Sequence, residues 1–287
     1  MRMARLLGFG VLRIDASWNL MEPEDGRFDF WLFDRFVETA EMSGMRLYVI
    51  VSTHLYPDWV EPYLQGGYGR FVEKAEEFAE TVVKHVTERY PHVIFAWQME
   101  NEPWEVGPAA SRTHLLPTRE KVLYLSGMAD AVRRIDRRNP IVLTTNMRWS
   151  TVLGDLTAEE VSVLLSHVDV LGLNLYPYWS GLRDDGREAF QYLTEVAEDG
   201  LVQAKKYGKQ MWVIEIPIVP YTNGGPQCLE AARWIIFIRQ RTPVIGVYQL
   251  RGQEFGVLNF PEIFQALCVT GSLSLFEAAV RALSTGR

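Results

Sequence analysis

Residues 93–104 read Val-Ile-Phe-Ala-Trp-Gln-Met-Glu-Asn-Glu-Pro-Trp. An apolar run, Val93 to Trp97, passes abruptly into Glu100, Asn101 and Glu102 and is closed by Pro103. A short apolar run bounded in this way suits a strand buried on both faces, as in a parallel sheet. Pro103 cannot donate to a ladder and biases Glu102 towards extended geometry, so the strand is expected to stop there. A carboxylate and an amide then project from the C-terminal end of a central strand, the rim where α/β folds bind ligands. Asn-Glu-Pro also suits a plain strand-ending turn, and taken alone it decides nothing.

Outward from this stretch, apolar runs alternate with amphipathic ones. Strands are expected at Gly10 to Asp15, Arg46 to Ser52, Ile141 to Thr145, Val168 to Leu175, Gln210 to Ile216 and Val244 to Leu250. Helices are expected at Trp31 to Met42, with Leu32, Phe33, Phe36, Val37 and Ala40 on one face, and at Phe71 to Tyr90. Others fall at Thr118 to about Arg137, Glu188 to Tyr207, Leu229 to Arg241, from Phe260 onward and at Leu275 to Leu283. Thr157 and Glu160 form a capping box, and Gly208 is placed to end a helix. Seven strand–helix units follow one another without a linker, which implies parallel strands joined by crossovers in one domain, residues 1–287. The fold class is α/β, of the (β/α)8 TIM-barrel type, whose closed form has eight strands.

The chain of 287 residues fits one such barrel of about 250 residues. Its formal charge of −7, with no Lys/Arg cluster, argues against nucleic acid as a partner. No run of apolar residues is long enough to span a membrane. The N-terminus lacks a full apolar segment with a cleavage site, so a cytoplasmic protein is expected. Cys228 and Cys268 have no metal-ligand spacing, and His54, His85, His92, His114 and His167 are scattered. Neither a metal nor an organic cofactor is expected.

A second acid, Glu215, lies near the end of Met211-Trp212-Val213-Ile214-Glu215-Ile216-Pro217, where a charge in an apolar strand is costly unless paired or functional. Two carboxylates across a barrel mouth suit glycoside hydrolysis, one protonating the leaving oxygen and the other attacking the anomeric carbon. Glu215 as a buried ion-pair partner of Arg13 is an equally open reading.

The pattern resembles the clan A glycoside hydrolases, and most nearly the family 42 β-galactosidases. The resemblance rests on Asn101-Glu102-Pro103 and on Val11-Leu12-Arg13-Ile14-Asp15 with Ser17-Trp18 and Glu22-Pro23. It rests further on Gly26 to Phe30, Trp212 to Glu215, and Tyr248-Gln249-Leu250-Arg251-Gly252. It implies a retaining β-glycosidase with Glu102 as acid/base and Glu215 as nucleophile. By the same resemblance Arg13 and Tyr176 hold the nucleophile, Asn101 binds the sugar 2-hydroxyl, and Gln249 and Arg251 line the rim of the eighth strand. A guanidinium beside Glu215 keeps it ionised, and burial beside that charge keeps Glu102 protonated. His54, Trp18, Trp59, Trp104 and Trp179 are subsite candidates. The partner implied is an oligosaccharide or glycoside.

By the same resemblance a first strand is expected before Val11, further domains after the barrel, and a metal-binding cysteine cluster, and the sequence offers no counterpart to these. A start assigned too late, an open seven-stranded barrel, or cover from the tail or a second copy of the chain would each account for the gap. A barrel that only binds carbohydrate is the alternative function.

Overall fold

The computed structural model describes Arg5 and residues 9–53, 55–65, 67–104, 116–175, 186–215, 238 and 241–243. The chain forms two compact units: Val11–Thr145 with Thr151–Val170, and Met1–Gly10 with Asn146–Ser150 and Leu171–Arg287.

The first unit holds β1 (Val11–Ser17), α1 (Trp31–Met42), β2 (Arg46–Ser52), α2 (Gly69–Arg89), β3 (Ile94–Met99), α3 (Thr118–Ile135), β4 (Ile141–Thr145) and α4 (Ala158–Leu165). Its sheet runs β1-β2-β3-β4, with each neighbouring pair parallel. Consecutive parallel strands need a crossover, and here helices provide them. The α2 stripe is buried as the periodicity requires: Phe71, Ala75, Phe78, Ala79, Val82, Val83 and Val86. Thr157 caps α4 reciprocally, its hydroxyl accepting from Glu160 N at 3.2 Å while the Glu160 carboxylate accepts from Thr157 N at 2.8 Å. Asp169 accepts the backbone N–H of Ile141 at 2.8 Å and is paired with Arg133, which fixes the entry to β4.

Helix α1 departs from expectation. Phe33, Val37 and Ala40 are buried, but Leu32 and Phe36 remain about half exposed, at 50% and 47%. The apolar stripe is therefore narrower than composition suggested, because β2 receives only the 33/37/40 row.

The second unit contains α5 (Gly186–Lys206) and β6 (Gln210–Glu215), and all but the first residue of β5 (Val170–Asn174). Backbone N–H of Leu175 donates to Glu215 O at 2.9 Å, so β5 and β6 are neighbours at their C-terminal ends. Gly208 ends the α5 region with φ of 67°, the left-handed conformation that suits glycine. Trp149 anchors this unit by donating its indole N–H to Gly172 O at 3.2 Å. The expected elements Leu229 to Arg241, Val244 to Leu250, Phe260 onward and Leu275 to Leu283 lie outside the described residues, apart from isolated positions. Among the described residues no helix is long and apolar enough to cross a membrane.

Candidate active site

Side chains alternate across a strand, so residues two apart share a face. Register places Arg13 beside Tyr48, and an irregularity after Leu47 sets Tyr48 beside Ala96 rather than Phe95. That one-residue shift puts Gln98 on the same face as Arg13. The Arg13 guanidinium donates to Gln98 Oε1 from Nε and Nη2, both at 3.1 Å, and from Nη2 to Asn101 Oδ1 at 2.7 Å. It also lies 5.7 Å from the Tyr48 ring centroid. Gln98 Nε2 continues the row to Thr144 Oγ1 at 2.9 Å. One face of the sheet therefore carries a polar row across four strands, Arg13, Tyr48, Gln98 and Thr144.

The opposite face of β3 is tied to the helix layer. Trp97 is fully buried and donates its indole N–H to Asp136 at 2.9 Å, just past the end of α3. Polar rim on one side and aromatic anchor on the other fix the strand in rotation.

Beyond Met99 the strand does not run on extended to Glu102, as Pro103 suggested. Glu100 and Glu102 both take left-handed backbone, with φ of 56° and 49°. Each such non-glycine residue costs about 1–3 kcal/mol and persists only where its surroundings hold it. The restraints are specific. Glu100 O accepts from Gln98 Nε2 at 2.7 Å, Asn101 N donates to Glu100 Oε1 at 2.8 Å, and Glu102 N donates to Thr144 Oγ1 at 3.3 Å. These outweigh the local preference of a residue before proline.

Glu102 is buried, at 4% exposure, in the same strand end as Asn101 and Arg13. An isolated carboxylate at that depth costs several kcal/mol, so such an acid needs partners or a protonated state. Glu215 is buried likewise, at 6% exposure, as the last residue of β6 in the second unit. Its neighbours Met211, Trp212, Val213 and Ile214 are all buried apolar residues.

Glu100 is fully buried. Its Oε2 accepts from Thr53 N at 3.1 Å, Thr53 Oγ1 at 2.7 Å and Tyr124 OH at 3.0 Å. Burial, then the Glu100 charge and its hydrogen bond, hold the Tyr124 phenol well above its ordinary range. Tyr124 is thus a permanent neutral donor.

Of the expected site residues, the structure brings together Arg13, Asn101 and Glu102, with Trp104 half-buried two residues on. Trp18 is a correction. It is fully buried, stacked 5.3 Å from Phe78 and edge-on to Trp59, and its indole N–H donates to Glu22 at 2.8 Å. It builds the core beneath the loop and has no surface to offer a sugar. Trp59 spends its indole N–H on Glu22 O at 3.0 Å. His54, Tyr176, Trp179, Gln249 and Arg251 lie outside the described residues. Sequence reasoning missed Gln98, Glu100, Thr144, Thr53 and Tyr124. The signal for the first two was their alternation, two polar residues two apart in an apolar strand; Thr53 and Tyr124 gave none.

A family model for cellulase (glycosyl hydrolase family 5) matches residues 2–190. The chain belongs to that family, a glycoside hydrolase family of clan A. A curated β-galactosidase, Bga of Halorubrum lacusprofundi, is 30% identical over 112 residues, covering 32% of this chain and 16% of the relative. The β-galactosidase of the psychrophilic Marinomonas ef1 superposes with a TM-score of 0.64 at 14% identity, over 99% of this chain and 57% of that one. An endo-β-1,4-mannanase from Thermotoga petrophila superposes with a TM-score of 0.67 at 16% identity, over 95% and 71%. The chain thus spans about a sixth of the curated relative and little more than half of the Marinomonas enzyme. The fold is the α/β barrel type of the glycoside hydrolases. The sequence resemblance holds at the level of the clan, with family 5 as the matching model and a β-galactosidase as the curated relative.

Proposed function

We propose that the protein is a retaining β-glycosidase, with β-galactosides the first substrates to test. The observation that carries this reading is the strand end itself. A buried acid, Glu102, follows an asparagine whose Oδ1 is fixed by Arg13 and Gln98. An asparagine amide can donate to a sugar hydroxyl, the role that the resemblance implies for Asn101.

In this reading Glu102 protonates the glycosidic oxygen while the Glu215 carboxylate attacks the anomeric carbon. The C–O bond to the aglycone breaks, its electron pair leaves with the alcohol, and a glycosyl ester forms on Glu215. Glu102, now ionised, takes a proton from water as that water attacks the anomeric carbon, and Glu215 leaves. Two inversions give net retention. Arg13 and Tyr176 serve Glu215 in the roles the resemblance implies. Every group in these steps is a protein side chain, the substrate or water.

The test uses Glu215→Ala. Hydrolysis of aryl β-glycosides is expected to fall by roughly 10⁴-fold or more, the scale of losing a nucleophile. Azide should restore turnover by attacking from the vacated side, giving a glycosyl azide of inverted configuration. Wild-type rates in this variant would remove the assignment.

A further inference from the structure

The glutamate two residues before the acid/base is absorbed by none of these steps. Glu100 is fully buried and, among the described residues, accepts from Thr53 N, Thr53 Oγ1, Tyr124 OH and Asn101 N. A carboxylate buried to this depth is costly unless it is hydrogen-bonded, and these donors meet that need. The donors come from the end of β2, from α3 and from the strand end itself. The side chain therefore joins three segments at the point where β3 stops.

What it joins is the turn that aims Glu102. Glu100 and Glu102 are the non-glycine residues with left-handed backbone among those described, and Asn101 lies between them. The Glu100 carboxylate binds the N–H of Asn101, and its own carbonyl binds Gln98, the residue that Arg13 also holds. A buried polar residue needed only for stability would be satisfied anywhere along the strand. Here the hydrogen bonds converge on the backbone between two strained residues, and strain held at a site marks positions whose geometry matters.

Resting on the reading of Glu102 as the acid/base, we propose that Glu100 is its positioning residue. It is a buried anchor that fixes the left-handed turn through Asn101 and so sets where the Glu102 carboxyl meets the glycosidic oxygen. Glu100 touches no substrate and acts through Glu102.

This role makes its loss depend on the leaving group. A 2,4-dinitrophenyl β-glycoside departs without protonation, whereas a phenyl β-glycoside needs the acid. The sugar is whichever of galactose, glucose or mannose the wild type accepts. In Glu100→Gln, kcat/KM for the phenyl glycoside should fall at least about tenfold further than for the dinitrophenyl one, within the roughly 10²–10⁴-fold that general acid catalysis supplies. Glu102→Ala, measured beside it, should show the same split in stronger form. Tyr124→Phe removes one donor to Glu100 at nearly constant volume and should show a smaller split of the same sign. It carries the test alone if Glu100→Gln does not fold. Equal losses on both substrates, or none, in the Glu100 and Tyr124 variants overturn the proposal while Glu102→Ala keeps its split. No split in Glu102→Ala would overturn the acid/base reading itself, and the anchor with it.

Discussion

Arg13 Nη2 and Asn101 Oδ1 stand 2.7 Å apart, a bond that reaches from β1 across β2 to the end of β3. The same guanidinium holds Gln98 Oε1 through Nε and again through Nη2. A planar fork holds both acceptors in a pre-organised geometry, and an ammonium on a flexible stem holds them less rigidly. Hydrogen bonds from a charged donor contribute about 1.5–3 kcal/mol each. Arg13→Lys keeps the charge and loses the fork, so Asn101 Oδ1 keeps Gln98 but loses its shorter, charged hydrogen bond. We expect kcat/KM on an aryl β-glycoside to fall by about 10- to 100-fold, with the midpoint of thermal unfolding lowered by only a few degrees. A variant of unchanged activity would show that the fork does not orient the strand end.

The Asp136 carboxylate is the counterpart of that network on the helix side. Burial alone would push it up. The hydrogen bonds from Asn139 Nδ2 at 2.7 Å, Trp97 Nε1 at 2.9 Å and the backbone N–H groups of Arg138 and Asn139 outweigh burial and hold it below its ordinary value. For a carboxyl depressed in the folded state, the unfolded chain binds its proton first as pH falls. Its contribution is therefore complete above the unfolded value of about 4 and is lost as pH drops through the folded value. Asp136→Asn should cost about 1–3 kcal/mol at pH 7, since an amide cannot accept from all four donors. Urea denaturation of both proteins from about pH 7 down to 3 checks the sign. The gap between wild type and variant should narrow with acid, and a gap that widened would contradict the assignment.

The long elements were legible because periodicity and burial agree. The buried row of α2 is the row its sequence spells out, and the capping box at Thr157 forms as written. Two features were not legible, for a shared reason. Pro103 argued for an extended Glu102, but the hydrogen bonds that turn it come from Thr53, Tyr124 and Thr144, far away in sequence. Likewise Leu32 and Phe36 share the apolar character of Phe33, and only the position of β2 decides which row of α1 is covered. In the site, residue type announced Arg13, Asn101 and Glu102. Glu100 was read only as one of the polar groups that end the strand, and the place of Gln98 beside Arg13 depends on a one-residue register irregularity at Leu47/Tyr48. Trp18 was misread because an aromatic beside a strand end suits a subsite and a core equally well, and here Phe71 and Phe78 claim it.

Two helix-interior glycines separate propensity from packing. Replacing glycine by alanine inside a helix gains about 1 kcal/mol where space allows. At Gly127 in α3, an added Cβ would fall 2.0 Å from Glu76 Oε1 and 2.8 Å from Glu76 Cδ, the far end of a flexible side chain on α2. That carboxyl is half-buried and held above its ordinary value chiefly by burial, so swinging it towards solvent relieves desolvation as well as the clash. Gly127→Ala is expected to be neutral or stabilising by up to about 1 kcal/mol. At Gly200 in α5, the Cβ would fall 2.9 Å from Leu173 Cδ1 and 3.3 Å from Met211 Cγ, both in the buried strands β5 and β6. Those atoms have nowhere to go, and overpacking of a filled core costs about 1–3 kcal/mol. Gly200→Ala should therefore destabilise by about 1–2 kcal/mol despite its better propensity. Urea midpoints of the two variants, measured at one pH, should move in opposite directions or differ by at least about 1 kcal/mol. Equal shifts would mean that helix propensity, and not the contact with Leu173, sets stability at both sites.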